Sequence, residues 1–280
     1  MNSFGVLYVV ATPIGNRDDI SRRALDLLKS VDLIAAEDTR HSQKLLQHYA
    51  IATRLLAYHD HASERQAAKI IAALESGLNV ALISDAGTPL ISDPGYRLVR
   101  ELRQRGMQVC PVPGASALIC ALSAAGLPTD RFSFEGFLPA KSAARRQAFE
   151  KMRSSAHTSV FYESPHRILE SLHDAVVILG ADREAVLARE LTKTYETFLG
   201  STLGEISARV EADDNQRRGE LVLMLRGVDP RSESDAELDA ESERVLGLLL
   251  AELPPKKAAK LASQITGVPT KILYSKAVEL

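Results

Sequence analysis

A chain of 280 residues, 45% hydrophobic and 25% charged, has the make-up of a water-soluble globular protein and enough length for two domains of ordinary size. Its formal net charge of −2 excludes a global basic field that would draw nucleic acid to the whole surface. No run reaches the ~18 apolar residues of a membrane span, and Val6 to Ala11 is too short and too poor in flanking basic residues for a signal peptide. A cytoplasmic location without membrane attachment is expected. Cys110 and Cys120 stand among apolar neighbours and read as buried thiols in a reducing compartment, not as a disulfide or metal pair.

Along the first 115 residues, short β-rich runs alternate with helical ones. The strand candidates are GVLYVVA (5–11), VDLIAAE (31–37), RLLAYH (54–59), NVALIS (79–84) and QVCPV (108–112), each nearly continuous in apolar residues. Such runs belong to strands covered on both faces. Between them, DISRRALDLLKS, ASERQAAKIIAALESG and GYRLVRELRQRG carry apolar residues at helical spacing, the last two closed by Gly77 and Gly106. This alternation predicts a parallel, doubly wound sheet.

A second α/β unit, residues 116–228, follows. RFSFEGF, TSVFYES, AVLARE, ETFLG and GELVLMLRG read as strands, with helices near 141–153, 166–179 and 203–211. Strands follow one another here with fewer helices between them, so a mixed sheet is expected. Residues 229–244 are acidic and polar and read as a linker. In 245–280, Pro254, Pro255 and Pro269 mark off two or three short helices. There Lys256, Lys257, Lys260, Lys271 and Lys276 form either a solvated helical face or a polyanion contact.

Polar, Gly- or Pro-bearing loops follow all five N-terminal strands: ATPIGN (11–16), EDTRHS (37–42), HDHASE (59–64), SDAGTPLISDPG (84–95) and PGASA (113–117). Loops at the opposite edge, LKSV and ESGLN, are bland. In an open parallel sheet, ligands bind outside the carboxyl ends of the strands, so this edge is the expected site. There is no G-x-G-x-x-G after the first strand and no Walker lysine, which argues against nicotinamide or triphosphate sites of the usual kinds. The prolines and glycines of SDAGTPLISDPG suit a largely uncharged ligand read through main-chain groups, or else an irregular turn. In EDTRHS, Asp38 or Thr39 can cap a following helix while Glu37 and Arg40 pair, or the segment can belong to a site together with HDH at 59–61. His59 and His61, two apart on an extended chain, point to opposite sides, and no metal is assigned.

The segments TPIGN, LIAAEDTRHS, SDAGTPLISDPG, PGASA, ALSAAGLPTDRFSFEGFLP, FYESPHR, ARELTKTYE and RRGELVLML resemble the tetrapyrrole methylase superfamily. Within it they resemble the bacterial branch that methylates a cytidine 2′-hydroxyl in small-subunit ribosomal RNA. The resemblance runs from about residue 5 to the C-terminus. It implies two α/β domains with S-adenosylmethionine folded into the cleft between them, a homodimer, and 16S rRNA of the small ribosomal subunit, at a decoding-centre cytidine, as substrate. Gly87, Thr88 and Pro89 match the superfamily's Gly-Asp-Pro cofactor loop, with Thr88 in place of the acid and Asp85 as a substitute carboxylate. Pro13, Ile91, Ser116 and Ala117 match further cofactor-lining positions, and Tyr162, Ala188, Glu220 and Leu221 match those around the adenosine. The branch's HDHN stands here as HDHA.

For transfer to a weakly nucleophilic ribose hydroxyl, Asp38 or Glu37 is expected as base or hydroxyl orienter, with His59 as a second base candidate. Arg40 is expected to hold an adjacent phosphate. Arg189, Lys193, Lys256 and Lys257 are candidates for further backbone contacts. A porphyrinoid or protein methylase of the same superfamily, or a non-catalytic ribosome-binding protein, are the rival readings.

Overall fold

The computed structural model describes residues 4–58, 64–228 and 240–279. The first sheet holds β1 (Leu7–Val10), β2 (Leu33–Ala36), β3 (Leu55–Ala57), β4 (Val80–Ile83) and β5 (Val109–Val112) in the order β3-β2-β4-β1-β5, with every pair parallel. The helices between them are α1 (Arg22–Ser30), α2 (Thr39–His48), α3 (Glu64–Glu75) and α4 (Tyr96–Gln104).

From β1 through β2 to β3 the chain steps one way across the sheet, and from β3 through β4 to β5 it steps back. Right-handed crossovers then place α1 and α2 on one face and α3 and α4 on the other. The core follows this division. Leu28 and Leu46 pack with Ile34, Ala36, Ala81 and Ile83, whereas Ile70, Leu74, Leu98 and Leu102 pack with Ala35, Val80 and Leu82. Adjacent strand residues therefore serve opposite cores, which is why these strands read as unbroken apolar runs. Helix starts are locally encoded: the Ser21 hydroxyl accepts the Ala24 N–H (3.1 Å) ahead of α1, and Thr202 caps α8 (Leu203–Ala212).

After β5 the chain forms α5 (Ala117–Ala124) and enters a mixed sheet. Its strands are β6 (Phe132–Phe137), β7 (Thr158–Glu163), β8 (Glu184–Arg189), β9 (Thr197–Thr202) and β10 (Leu221–Leu225), ordered β6-β7-β10-β8-β9. Only the β6–β7 pair is parallel. Leu221, Leu223 and Leu225 turn to a core with α6 (Ser142–Met152), α7 (Ile168–Leu179) and α8. Val222 and Met224, on the other face, join Val160, Val186 and Ala188 in a core with Ile14 and Leu118, Ala121 and Leu122 of α5. That second core binds the two sheets into one body. The expected boundary near residue 115 falls between β5 and α5, inside the compact unit that extends to Gly227.

The remaining helices form a unit of their own: α9 (Ala240–Leu250), α10 (Pro255–Thr266) and α11 (Thr270–Glu279). Helix α9 begins inside the acidic stretch read as linker. Pro255 opens α10, and Gly267 ends it in a left-handed conformation (φ 78°). Its core is small: Leu246, Ala258, Ala259, Ala262, Leu273 and Ala277.

Cys110 and Cys120 are free but half-buried, not buried as read from their neighbours. Among the described residues no helix is long and apolar enough to cross a membrane.

Candidate active site

Strands β1 and β4 are neighbours, yet the chain leaving β1 passes to the face of α1 and the chain leaving β4 to the face of α4. A crevice opens where such connections part. It is pinned by a two-way backbone exchange between Thr12 and Gly87 (2.9 and 3.0 Å) and by the Thr12 hydroxyl, which donates to the Ser84 carbonyl (3.2 Å). Gly87 has φ +82°, and a Cβ built on it would lie 3.3 Å from Ile14. Further along the same loop Leu90 (φ 75°) and Ser92 (φ 66°) are also left-handed, a strain of roughly 1–3 kcal/mol each that tends to gather at functional sites. The Thr88 hydroxyl donates to the Ala115 carbonyl (3.0 Å), tying the loop after β4 to the loop after β5.

The second sheet closes the crevice. Antiparallel β10 begins where β7 and β8 end, so the end of β7, the loop after β8 and the start of β10 meet at one edge. On the loop after β8, Thr192 (φ 64°) accepts the Asn16 N–H (3.0 Å) and so links the two halves. Between them lies a cavity of about 420 Å³, of the size that holds small ligands and cofactors. Its walls come from Ile14 after β1, Glu37 after β2, residues 85–88 and 91–93 after β4, and Ser116 and Ala117 at the start of α5. Across from these stand Phe137, Tyr162 to Pro165, Leu191 and Gly219 to Val222.

The lining is acidic. Glu37, Asp85, Asp93, Glu163 and Glu220 are among its residues, although the Glu163 carboxylate is itself buried against Arg167, and no lysine, arginine or histidine is among the described lining residues. Three of these acids lie outside the glycine- and proline-rich loop, so the uncharged ligand inferred from that loop alone does not match the assembled site. Asp85, Glu163 and Glu220 are each differently held. Asp85 accepts the Asp38 N–H (3.1 Å). The Glu163 side chain, fully buried, takes Arg167 (2.8 Å), the Ser171 hydroxyl and the Ser164 N–H. Glu220 pairs with Lys193 (3.3 Å), which also meets Glu190 (2.8 Å). The Tyr162 hydroxyl accepts the Leu118 N–H (3.1 Å), and burial pushes its phenol above the usual range, so it stays protonated.

Of the residues singled out from sequence, Asp85, Gly87, Thr88, Ile91, Ser116, Ala117, Tyr162, Glu220 and Leu221 line the cavity, as does Glu37. Pro13, Pro89 and Ala188 do not. Pro13 lies between the pinned Thr12 and Ile14, Pro89 is a buried residue of the loop after β4, and Ala188 is in the core between the sheets. Asp38 is spent on structure: its carboxylate caps α2 by accepting the Arg40 N–H (2.8 Å) and pairs with the Arg40 guanidinium (3.3 Å). Those bonds to Arg40 hold its pKa below the ordinary carboxylate value. The Arg40 side chain itself is 90% exposed. Arg189 is buried and turned to the Thr197 hydroxyl (3.1 Å), so it presents nothing to an RNA backbone. Lys193 is held between the two glutamates, while Lys256 and Lys257 are exposed on α10. His59 and His61 lie outside the described residues. Among the lining residues the sequence reading did not single out are Ile14, Asp93, Phe137, Glu163, Leu191 and Val222. All of them stood in the quoted segments, Ile14 in TPIGN, Asp93 in SDAGTPLISDPG, Phe137 in ALSAAGLPTDRFSFEGFLP, Glu163 in FYESPHR, Leu191 in ARELTKTYE and Val222 in RRGELVLML, but nothing in the residues themselves marked them as site residues.

Two α/β sheets meeting around a crevice are the architecture of a methylase family to which the chain belongs, the Tetrapyrrole (Corrin/Porphyrin) Methylases, whose profile matches residues 6–207. Within that family it is similar to two proteins named Ribosomal RNA small subunit methyltransferase I. One, from Escherichia coli O157:H7, is 55% identical over 99% of this chain and 96% of its own. The other, from Pseudomonas aeruginosa, is 55% identical over 99% of this chain and 98% of its own. Residues 236–280 match the profile described as RsmI C-terminal HTH domain. The fold is shared with uroporphyrin-III C-methyl transferase from Thermus thermophilus complexed with S-adenyl homocysteine, at 19% identity and a TM-score of 0.53, covering 79% of this chain and 97% of that one.

Proposed function

We propose that this chain is an S-adenosylmethionine-dependent methyltransferase of small-subunit ribosomal RNA, and that it methylates the 2′-hydroxyl of a decoding-centre cytidine. The end-to-end likeness to proteins named for small-subunit rRNA methylation carries the substrate class. The acidic lining residues support the cofactor, because S-adenosylmethionine carries two cationic groups, a sulfonium and an ammonium, against one carboxylate, and its net positive charge is drawn to them. Leu191, Leu221 and Val222 supply the apolar wall that an adenine ring needs.

S-adenosylmethionine supplies an activated methyl group whose transfer to oxygen is an in-line displacement. The residues of the chain do the rest. The pinned loops at Thr12 and Gly87 fix the position of the cavity floor, and alignment of the reacting groups is the main source of rate in such a transfer. Glu37 lines the cavity and is the base that takes or polarises the ribose proton. The neighbouring Asp38 fixes the start of α2 and presents Arg40, three residues from Glu37, to a phosphate of the substrate. In this reading the α/β domains 1–115 and 116–228 both line the cavity, the enzyme acts as a homodimer, and Lys256 and Lys257 add backbone affinity beyond the acidic linker.

Calorimetry tests the cofactor site. The exposed Ala86 lines the cavity with no left-handed backbone to strain, so Ala86→Phe fills space without disturbing the fold. S-adenosylmethionine is expected to bind the parent protein and to bind this variant at least tenfold more weakly at unchanged melting temperature. Equal affinity in the two proteins would remove the cofactor from this cavity.

A further inference from the structure

Strand β6 carries a register fault with a consequence for the cavity. Phe132, Ser133 and Phe134 pair in step with Thr158, Ser159 and Val160, but Tyr162 is met by Phe137. One extra residue has therefore entered β6, and Gly136 (φ +71°) supplies the left-handed conformation that such a bulge requires. Side chains alternate along a strand, so without the insertion Phe137 would face away from the side that Phe134 occupies. With it, Phe134 and Phe137 both turn to Tyr162, edge-on at 4.8 and 5.6 Å.

The bulge does not bury the ring it redirects. Phe137 lines the cavity yet is 56% exposed. The loop after β4 faces it, since a Cβ built on Gly136 would lie 3.8 Å from the Ser92 hydroxyl. From that loop the half-exposed Ile91 adds a second apolar surface. A ring anchored on one edge and open to solvent at the rim of a ligand cavity is placed to accept a flat partner.

We propose that Phe137 stacks against the nucleobase of the nucleotide being methylated. This rests on the reading of the site as an RNA ribose methylase. To bring one ribose hydroxyl into a walled cavity the nucleotide must leave its neighbours in the RNA, and its base loses their stacking. An aromatic ring at the rim replaces that contact, an exchange worth roughly 5- to 150-fold per base. The adenine of the cofactor is the competing partner, and the exposure of the Phe137 ring, against the burial of Leu191, Leu221 and Val222, sets it apart.

The test compares the parent protein with Phe137→Leu, Phe137→Tyr and Phe137→Trp. Methyl transfer to small ribosomal subunits lacking the modification is measured at saturating cofactor, alongside cofactor affinity by calorimetry. The expected result is a loss of about tenfold or more in kcat/KM for subunits in Phe137→Leu, substantial recovery in the Tyr and Trp variants, and unchanged cofactor affinity in all three. Full activity in Phe137→Leu would overturn the proposal. So would Tyr and Trp variants as poor as Leu, or cofactor affinity that falls with transfer, which would give the ring to adenine. If the parent protein binds cofactor but modifies no subunit, the RNA reading itself falls, and the stacking role falls with it.

Discussion

Glu37 and Asp38 are adjacent carboxylates at the end of β2, and the fold gives them different tasks. Asp38 accepts an N–H of the first turn of α2 and holds Arg40, while Glu37 is among the residues lining the cavity. Replacing Asp38 by Asn keeps a capping side chain, so turnover is expected to stay within a few-fold and the loss to show as slightly lower thermal stability. Glu37→Gln removes the proposed base and is expected to slow single-turnover methyl transfer by about 10²–10⁴-fold, with cofactor affinity changing much less. The reverse pattern would assign the base to Asp38. From the sequence the two were indistinguishable, because successive residues of an extended segment point opposite ways and the sequence does not say which way. The loop residues Gly87, Thr88, Ser116 and Ala117 were legible, since glycine, proline and small hydroxyl residues at strand ends are informative singly. Glu163 was not. A glutamate closing a strand does not announce that Arg167 and Ser171 will bury it.

Between α6 and α7 a buried ion network holds two elements together. Asp174 accepts Arg145 (2.6 Å), Arg146 (2.6 Å) and the Ser142 hydroxyl (2.9 Å), and the Arg145 side chain is 1% exposed. Removing one member strands the other charge, so Asp174→Ala is expected to cost about 3–5 kcal/mol in urea denaturation. Burial alone would raise the Asp174 pKa, but its bonds to Arg146, Arg145 and Ser142 outweigh it and lower the value. A folded-state pKa below the unfolded one gives stability that is complete above the unfolded value, near 4, and is lost as pH falls through the folded value. The stability of the parent protein is therefore expected to drop more steeply below pH 4 than that of Asp174→Asn. Parallel pH profiles would remove this contribution. The helices themselves were readable from apolar spacing. The network was not, because arginine and aspartate on an amphipathic helix ordinarily face water. The bulge in β6 was hidden for a related reason: RFSFEGF reads as one uninterrupted strand unless its register against β7 is known.

At the scale of the molecule, apolar runs alternating with helices implied a parallel sheet, and strands crowded together implied a mixed one, and both sheets are present. The side of the first sheet on which ligands gather was also legible, because all five loops at that edge are unusual. Of the opposing wall the family resemblance supplied Tyr162, Glu220 and Leu221, but not Phe137, Glu163 and Leu191, which reach the cavity only through the packing of α5 and Ile14 against the second sheet. That packing makes the acid-lined chamber a product of both halves, and the central claim is that the chamber delivers a methyl group to a ribose of small-subunit RNA. The direct measurement incubates the full-length protein with methyl-labelled S-adenosylmethionine and small ribosomal subunits from cells lacking it, then hydrolyses the recovered RNA in alkali. A methylated 2′-oxygen cannot attack the adjoining phosphate, so the account predicts label in rRNA, confined to an alkali-resistant dinucleotide that begins with cytidine. Label released as a methylated base, label on ribosomal protein, or none transferred at all would contradict it.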